Sequence, residues 1–404
     1  MGNLRESRIL LGVTGGIAAY KAADLASKLV QAGARVDVIA TRSALRLVGP
    51  ATFEALTKRP VHVDVFESWT EDYFGHISLG HEADAFVVAP ATAHTIARLA
   101  LGLADDMLTT VALSTTAPLV IAPAMEHSMF HHPAMQGHLA TLRQRGATIV
   151  GPDRGRLASG AEGDGRLAPV ETIVGALRQV LGQRGPLVGC HVVVTAGGTH
   201  EPLDPVRFIG NASSGLMGYA LAQAAIDAGA RVTLISGPTH LTPPYGADLV
   251  AVQSALDMER AVHDAVERAD ALIMAAAVAD FRPRDHQPAK IKKGQGQEPL
   301  ALELVRNPDI LASVNRPGLV KIGFAAETEN LIEHARAKLQ AKGLAMIVAN
   351  DAAATIGSRT SAAVLISADG TAEPLPLMPK EELAEIIIGR LAQLLRRSHD
   401  AASG

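Results

Sequence analysis

The chain has 404 residues, 48% hydrophobic but only 3% aromatic, with 41 acidic against 37 basic side chains. A net charge of −4 argues against nucleic acid as the main partner, and the single Cys190 excludes an intramolecular disulfide framework or a cysteine-built structural zinc site. No apolar run reaches the roughly 18 residues of a membrane span. The opening eight residues carry an acid and lead straight into a strand, unlike a secretory signal, so a cytoplasmic protein without membrane contact is expected, and its length predicts two domains.

Aliphatic and β-branched runs at 9–14, 36–41, 85–89, 119–122 and 147–150 alternate with helical patterns in the first half. The second half repeats this with runs at 191–195, 231–236, 271–275, 320–324, 346–349 and 363–367. Such alternation predicts an α/β protein of two doubly wound, Rossmann-like parallel sheets. The Gly- and Pro-bearing stretch 182–189 reads as a linker between domains at 1–181 and 190–404.

The first strand ends in Gly15-Gly16 followed by Ile17, which sets bare backbone amides at a helix start, a place suited to phosphate. The fingerprint G-x-G-x-x-G is absent. Thr41 and Ser43 follow the second strand, and Pro90 and Thr92 end the third. Three strand ends at one crevice predict a ligand of mononucleotide size. His76 is a lone histidine, readable as a catalytic base or as a packed residue. Asp105-Asp106 reads as a paired-carboxylate site or, more simply, as a cap on the helix beginning at Met107. His127 and His131 share the i, i+4 spacing of metal ligands, but Pro133 follows and no third ligand stands nearby in sequence, so no metal site is expected.

The most informative stretch is 192–218, VVVTAGGTHEPLDPVRFIGNASSGLMG. A buried strand runs into paired glycines, yet the next helix is delayed until about Ser213. The gap holds Glu201, Asp204, Arg207 and Asn211. A charged insertion at the C-terminal end of a parallel strand is where open α/β sheets bind ligands. Cys190, opening this strand, reads as a packing residue.

GHI at 75–77, PATAHT at 90–95, GLADDMLTT at 102–110 and APAMEHSMF at 122–130 together resemble the flavin-dependent cysteine decarboxylases, over residues 8–170. The resemblance implies FMN held by Gly15, Gly16, Ile17, Thr41, Ser43, Pro90, Thr92 and Met125. It implies His76 as catalytic base, with His94 and Glu126 at the substrate. Three positions depart from that pattern: His94 and Glu126 replace asparagines, and Ser159 replaces the proton-donating cysteine of the substrate clamp Leu157-Ala158-Ser159-Gly160. A serine hydroxyl is far less acidic than a thiol, whose ordinary pKa is about 8.5.

The 192–218 stretch, with ISGP at 235–238, AAAVADFRP at 275–283, KIKK at 290–293, NPDIL at 307–311 and GFAAET at 323–328, resembles the phosphopantothenate–cysteine ligases over residues 189–395. The order of the two halves is that of the bacterial bifunctional coenzyme A biosynthesis proteins. The resemblance implies that CTP activates 4′-phosphopantothenate as an acyl-cytidylate, that a magnesium ion accompanies the triphosphate, and that cysteine then displaces CMP. It implies a homo-oligomer as well.

CTP contacts are implied for Ala276, Asp280, Lys290, Pro308, Asp309, Ile310, Leu311, Phe324, Lys338 and Lys342. Asn211 is implied at the activated acyl group, with Arg207 at the substrate. Lys290, Lys292 and Lys293 read as a lid over the triphosphate or as a solvated basic loop. Lys338 and Lys342 fall on one face of a helix over 329–342, where they meet the nucleotide or merely answer the helix dipole. Leu216 stands where the family pattern has a lysine. The reading is a bifunctional ligase and decarboxylase. One alternative, raised by Ser159, Glu126 and His94, is a ligase whose flavin half is an impaired scaffold; another is a nicotinamide oxidoreductase.

Overall fold

The computed structural model describes residues 2–66, 69–70, 73–292, 301–327, 331–351 and 357–403. The expectations placed on Lys293, Thr328 and Glu329 lie outside these. The chain divides into two compact units, Met1–Gln183 and Arg184–Gly404. That division falls inside the stretch expected as linker, and its second part packs on the second unit: Leu187 is fully buried, and its N–H donates to Ala228 O at 2.8 Å.

In unit 1 the sheet strands are β1 (Arg8–Val13), β2 (Arg35–Ala40), β3 (Val61–His62), β4 (Ala85–Ala91), β5 (Leu119–Pro123) and β6 (Thr148–Ile149). All neighbours are parallel, in the order β3-β2-β1-β4-β5-β6. Ile9 of β1 pairs with Val36 on one side and Ala85 on the other. Almost every residue of β1, β2 and β4 is buried, which is why these strands read as unbroken apolar runs. Phe86, Ile39, Ile96 and Ile121 share one core cluster, each contributing about 1.5–3 kcal/mol through burial. The strand order reverses between β1 and β4, so a crevice opens at their C-terminal ends. After β6 comes an antiparallel hairpin, β7 (Asp153–Arg156) with β8 (Glu162–Arg166).

Unit 2 repeats the plan with β9 (His191–Ala196), β10 (Arg231–Ser236), β11 (Ala247–Ala251), β12 (Ala271–Met274), β13 (Val320–Glu327) and β14 (Met346–Asp351). Two further strands, β15 (Thr360–Ser367) and β16 (Ala372–Pro379), complete an eight-stranded sheet ordered β11-β10-β9-β12-β13-β14-β15-β16. The last two run antiparallel, a departure from the all-parallel expectation. Between β15 and β16, the tight turn at Gly370 (φ +85°) leaves no room for a crossover helix and so makes that pair antiparallel. Cys190 is half-buried against the core, as a packing residue would be.

The gap after β9 contains its own small hairpin, His200–Pro202 with Phe208–Gly210, and the helix Leu216–Asp227 starts three residues later than expected. Two of the four polar residues in the gap serve the fold. Glu201, 1% exposed, accepts the Ala255 N–H at the start of the helix Ala255–Val266. Asp204, also buried, accepts the N–H groups of Val206 and Arg207 at 2.8 Å and of Ile291 at 3.1 Å. Burial pushes the Asp204 carboxyl up, but these donors outweigh it and hold it below the ordinary range.

Candidate active sites

A cavity of about 1430 Å³ occupies the unit 1 crevice. Gly15, Gly16 and Ile17 line it from the turn after β1, Thr41 and Ser43 from beyond β2, Thr92 and His94 from beyond β4, and Met125 and Glu126 from beyond β5. The walls approach closely: a Cβ on Gly15 would stand 2.3 Å from Ser43 Cβ, so only glycine fits. The buried Thr14 hydroxyl joins two of these strand ends, donating to Pro90 O at 2.7 Å and accepting the Thr92 N–H at 3.0 Å. Pro90 therefore backs the wall rather than lining it. Thr92 in turn caps the helix Ala93–Leu101.

Ile17, expected here, is 66% exposed and lines the cavity. Tyr20, 63% exposed, lines it beside Ile17 and carried no sequence signal, nor did Lys21 and Arg42, which line it as well. Asp105 and Asp106 prove to be the helix-capping arrangement. Asp106 caps Met107–Ser114 in a capping box with Thr109, and both carboxylates pair with the buried Arg98. Burial pushes the Asp106 carboxyl up; the Thr109 N–H and hydroxyl and the Arg98 guanidinium pull it below its ordinary range.

The β7–β8 hairpin contributes Arg156, Leu157 and Ala158 to the lining, with Ser159 exposed at its turn and outside the lining. The hairpin is anchored on the segment after β5. Met125 N–H donates to Gly165 O at 2.9 Å, Asp164 N–H donates to His127 Nδ1 at 3.1 Å, and His131 Nε2 lies 2.9 Å from Asp164 Oδ2. The expectation that no third ligand accompanies His127 and His131 is thus corrected: Asp164, distant in sequence, joins them. In this structure the three side chains anchor the hairpin. His76, half-buried in the helix Gly75–Glu82, has its backbone carbonyl bonded by Ser114 Oγ at 3.1 Å and stands outside the cavity lining.

In unit 2 a second cavity, of about 770 Å³, lies beyond the C-terminal ends of β9, β12 and β13. Asn211, Ala276 and Asp280 line it, joined by Pro308, Asp309, Ile310 and Leu311, by Phe324, and by Lys338 and Lys342. Asn211 is held over the β12 end by donating to Val278 O at 3.0 Å. Lys342 Nζ contacts both carboxylate oxygens of Asp309, at 2.7 and 2.9 Å, while Asp309 caps the helix Ile310–Ser313. Burial raises the Asp309 carboxyl, and the Lys342 ammonium with the Ala312 N–H lowers it further than that, leaving it below the ordinary range. Lys338 lies one turn before Lys342, whose N–H donates to Lys338 O.

Lys290 and Arg207 are exposed and lie outside this lining. They nevertheless share a support, since Arg207 Nη1 contacts Asp204 Oδ2 and Ile291 O, both at 3.4 Å, and Ile291 follows Lys290. Leu216 lines the cavity at the helix start, as do Asn350, Ser361 and Lys380, which the motifs did not single out.

A family model described as flavoprotein matches residues 1–182, and one described as DNA/pantothenate metabolism flavoprotein C-terminal domain matches residues 187–395. The coenzyme A biosynthesis bifunctional protein CoaBC of Bacillus subtilis (strain 168) is 45% identical over 403 residues, covering 98% of this chain and 99% of that relative. The protein of the same name from Vibrio cholerae is 44% identical over 396 residues, covering 96% and 98%. A crystal structure of the C-terminal domain of a coenzyme A biosynthesis bifunctional protein CoaBC is 40% identical, with a TM-score of 0.47, and covers 53% of this chain and 99% of that one. The full-length sequence relatives carry the assignment: this chain belongs to the family of bifunctional coenzyme A biosynthesis proteins.

Proposed function

We propose that unit 2 joins cysteine to 4′-phosphopantothenate at the expense of CTP, and that unit 1 decarboxylates the product with FMN. The observation that carries this is the convergence of motif residues from separate strand ends on one cavity in each unit. The bifunctional relatives favour two activities over a ligase with an idle flavin half.

In the ligase step the carboxylate oxygen attacks the α-phosphorus of CTP and pyrophosphate leaves. The amine of cysteine then attacks the acyl carbon, CMP departs, and the ammonium proton goes to solvent. Lys338 and Lys342 line the cavity where negative charge builds, and cations fixed there act more strongly than in bulk water. Lys290 is assigned to the same charge from the neighbouring segment, Asn211 to the acyl group, and Arg207 to the substrate. Asp280 is the group suited to a divalent ion arriving with the triphosphate.

The unit 1 cavity fits a flavin mononucleotide: it offers an apolar surface at Ile17 and Tyr20, glycine amides at a helix start, and the cations Lys21 and Arg42. When bound, FMN supplies reversible acceptance of two electrons from the thiol-bearing carbon, which lets the neighbouring carboxylate leave as carbon dioxide. His94 and Glu126 line the space left for the substrate. His76 and Ser159 are assigned the proton transfers. His76 lies outside its own chain's cavity lining, so a homo-oligomer in which a neighbouring copy supplies it is part of the proposal. Purified protein should show a flavin spectrum and release pyrophosphate from CTP only when phosphopantothenate is added. A colourless protein, or CTP turnover indifferent to that acid, would contradict it.

A further inference from the structure

Among the lysines lining the unit 2 cavity, Lys380 is the most deeply buried. Lys338 and Lys342 are half-buried, and Lys342 is already engaged by Asp309. Lys380 lines the same cavity but is only 8% exposed. It begins the helix Lys380–Ser403, and its own N–H donates to Arg359 O at 3.0 Å, which fixes the helix start against the residues before β15. That helix packs on Leu216–Asp227, whose first residues, Leu216 and Met217, line the cavity too.

A lysine is rarely so buried, because removing an ammonium from water is unfavourable by several kcal/mol. Burial depresses its pKa, and the nearby Glu381 carboxylate raises it in part. An ammonium held in dehydrated surroundings at the wall of a polar cavity attracts an incoming anion more strongly than a solvated one does. The neighbouring helix start has no side-chain cap, so its amides face the same way electrostatically.

We propose that Lys380 is a further ligand-binding residue of the ligase cavity and that it holds a phosphate group, belonging either to the nucleotide or to the phosphorylated acid. This rests on the ligase reading of unit 2. A charge-assisted contact of this kind corresponds to a loss of about 10- to 100-fold in affinity when removed.

The test uses the full-length flavoprotein carrying Lys380→Met, which keeps the aliphatic stem, with Lys380→Arg as the charge-restoring variant. Pyrophosphate release is followed while CTP and phosphopantothenate are varied separately, and CTP binding alone is measured by calorimetry. A raised KM and Kd for CTP assigns the nucleotide as the source. A raised KM for phosphopantothenate alone, not seen with the acid lacking its phosphate, assigns the acid. Restoration by arginine is expected in either case. Unchanged constants for both ligands in a Lys380→Met protein that melts like the wild type overturn the proposal. If that variant does not fold, amine labelling of wild-type protein decides: Lys380 protected by one ligand supports it, and equal labelling with and without both overturns it. A wild type that releases no pyrophosphate would instead refute the ligase reading itself.

Discussion

Thr14 ties together two strand ends at the unit 1 cavity. The residue is 1% exposed, and its hydroxyl donates to Pro90 O and accepts the Thr92 N–H. Thr14→Val keeps the shape and removes the oxygen, leaving one buried carbonyl and one N–H without this partner. Each such group is unfavourable by about 1–3 kcal/mol, so the substitution should destabilise unit 1 by about 2–6 kcal/mol in all. For a unit of this size that is a fall of about 4–24 °C in melting temperature. Thr92 lines the cavity, so part of the loss should surface as FMN affinity weakened by about tenfold, equivalent to about 1.4 kcal/mol. The assay is thermal release of flavin fluorescence together with a quenching titration, with Thr14→Ser as the control that restores the hydroxyl. A valine variant melting within about 2 °C of wild type and binding FMN equally well would refute the reasoning.

Four further outcomes are expected. Lys290→Gln should reduce pyrophosphate release by about 100-fold or more while leaving the flavin bound; near-normal CTP turnover would remove Lys290 from the triphosphate. His76→Asn should stop carbon dioxide release and spare pyrophosphate release, and loss of both would indicate misfolding. Lys342→Met should weaken CTP binding by about tenfold. The pH dependence of its stability effect has a definite sign. Asp309 has a depressed folded pKa, so its pairing contributes fully above the unfolded carboxylate value near 3.9 and is lost as pH falls through the lower folded value. Wild type and Lys342→Met should therefore converge in urea stability only below about pH 4, and a gap that widens there would contradict the ion pair. Asp106→Ala should lower the melting temperature through loss of the cap by about 1 kcal/mol and of the Arg98 contact besides, while Asp106→Asn, which retains capping, should lose less.

The interior strands were legible because parallel strands covered on both faces must be apolar throughout; every residue of β9 is buried. The edges were not. β11 is mostly exposed and short, and β16 carries Pro374, Pro376 and Pro379, which a sequence reading takes as loop although an edge strand tolerates them. The β7–β8 hairpin is charged and glycine-rich, and what holds it is contact with His127 and His131, some thirty residues earlier, invisible to local pattern. Within the sites, residues in family-like motifs could be named beforehand, while Thr14, Tyr20, Arg98 and Lys380 could not. Their identities are ordinary, and only the tertiary fold brings them to a cavity wall or, for Thr14, behind it. Glu201 and Asp204 show the reverse: a charged insertion suggested chemistry, but both acids are used to cap and fasten the loop that presents Asn211.

The most direct measurement supplies the protein with CTP, 4′-phosphopantothenate and carboxyl-labelled cysteine, and follows pyrophosphate and labelled carbon dioxide together. Both products should appear, in equal amounts at completion and only when phosphopantothenate is present, with His76→Asn abolishing the gas alone. Pyrophosphate without carbon dioxide from protein that retains FMN would contradict the two-activity account, and the absence of both would contradict it entirely.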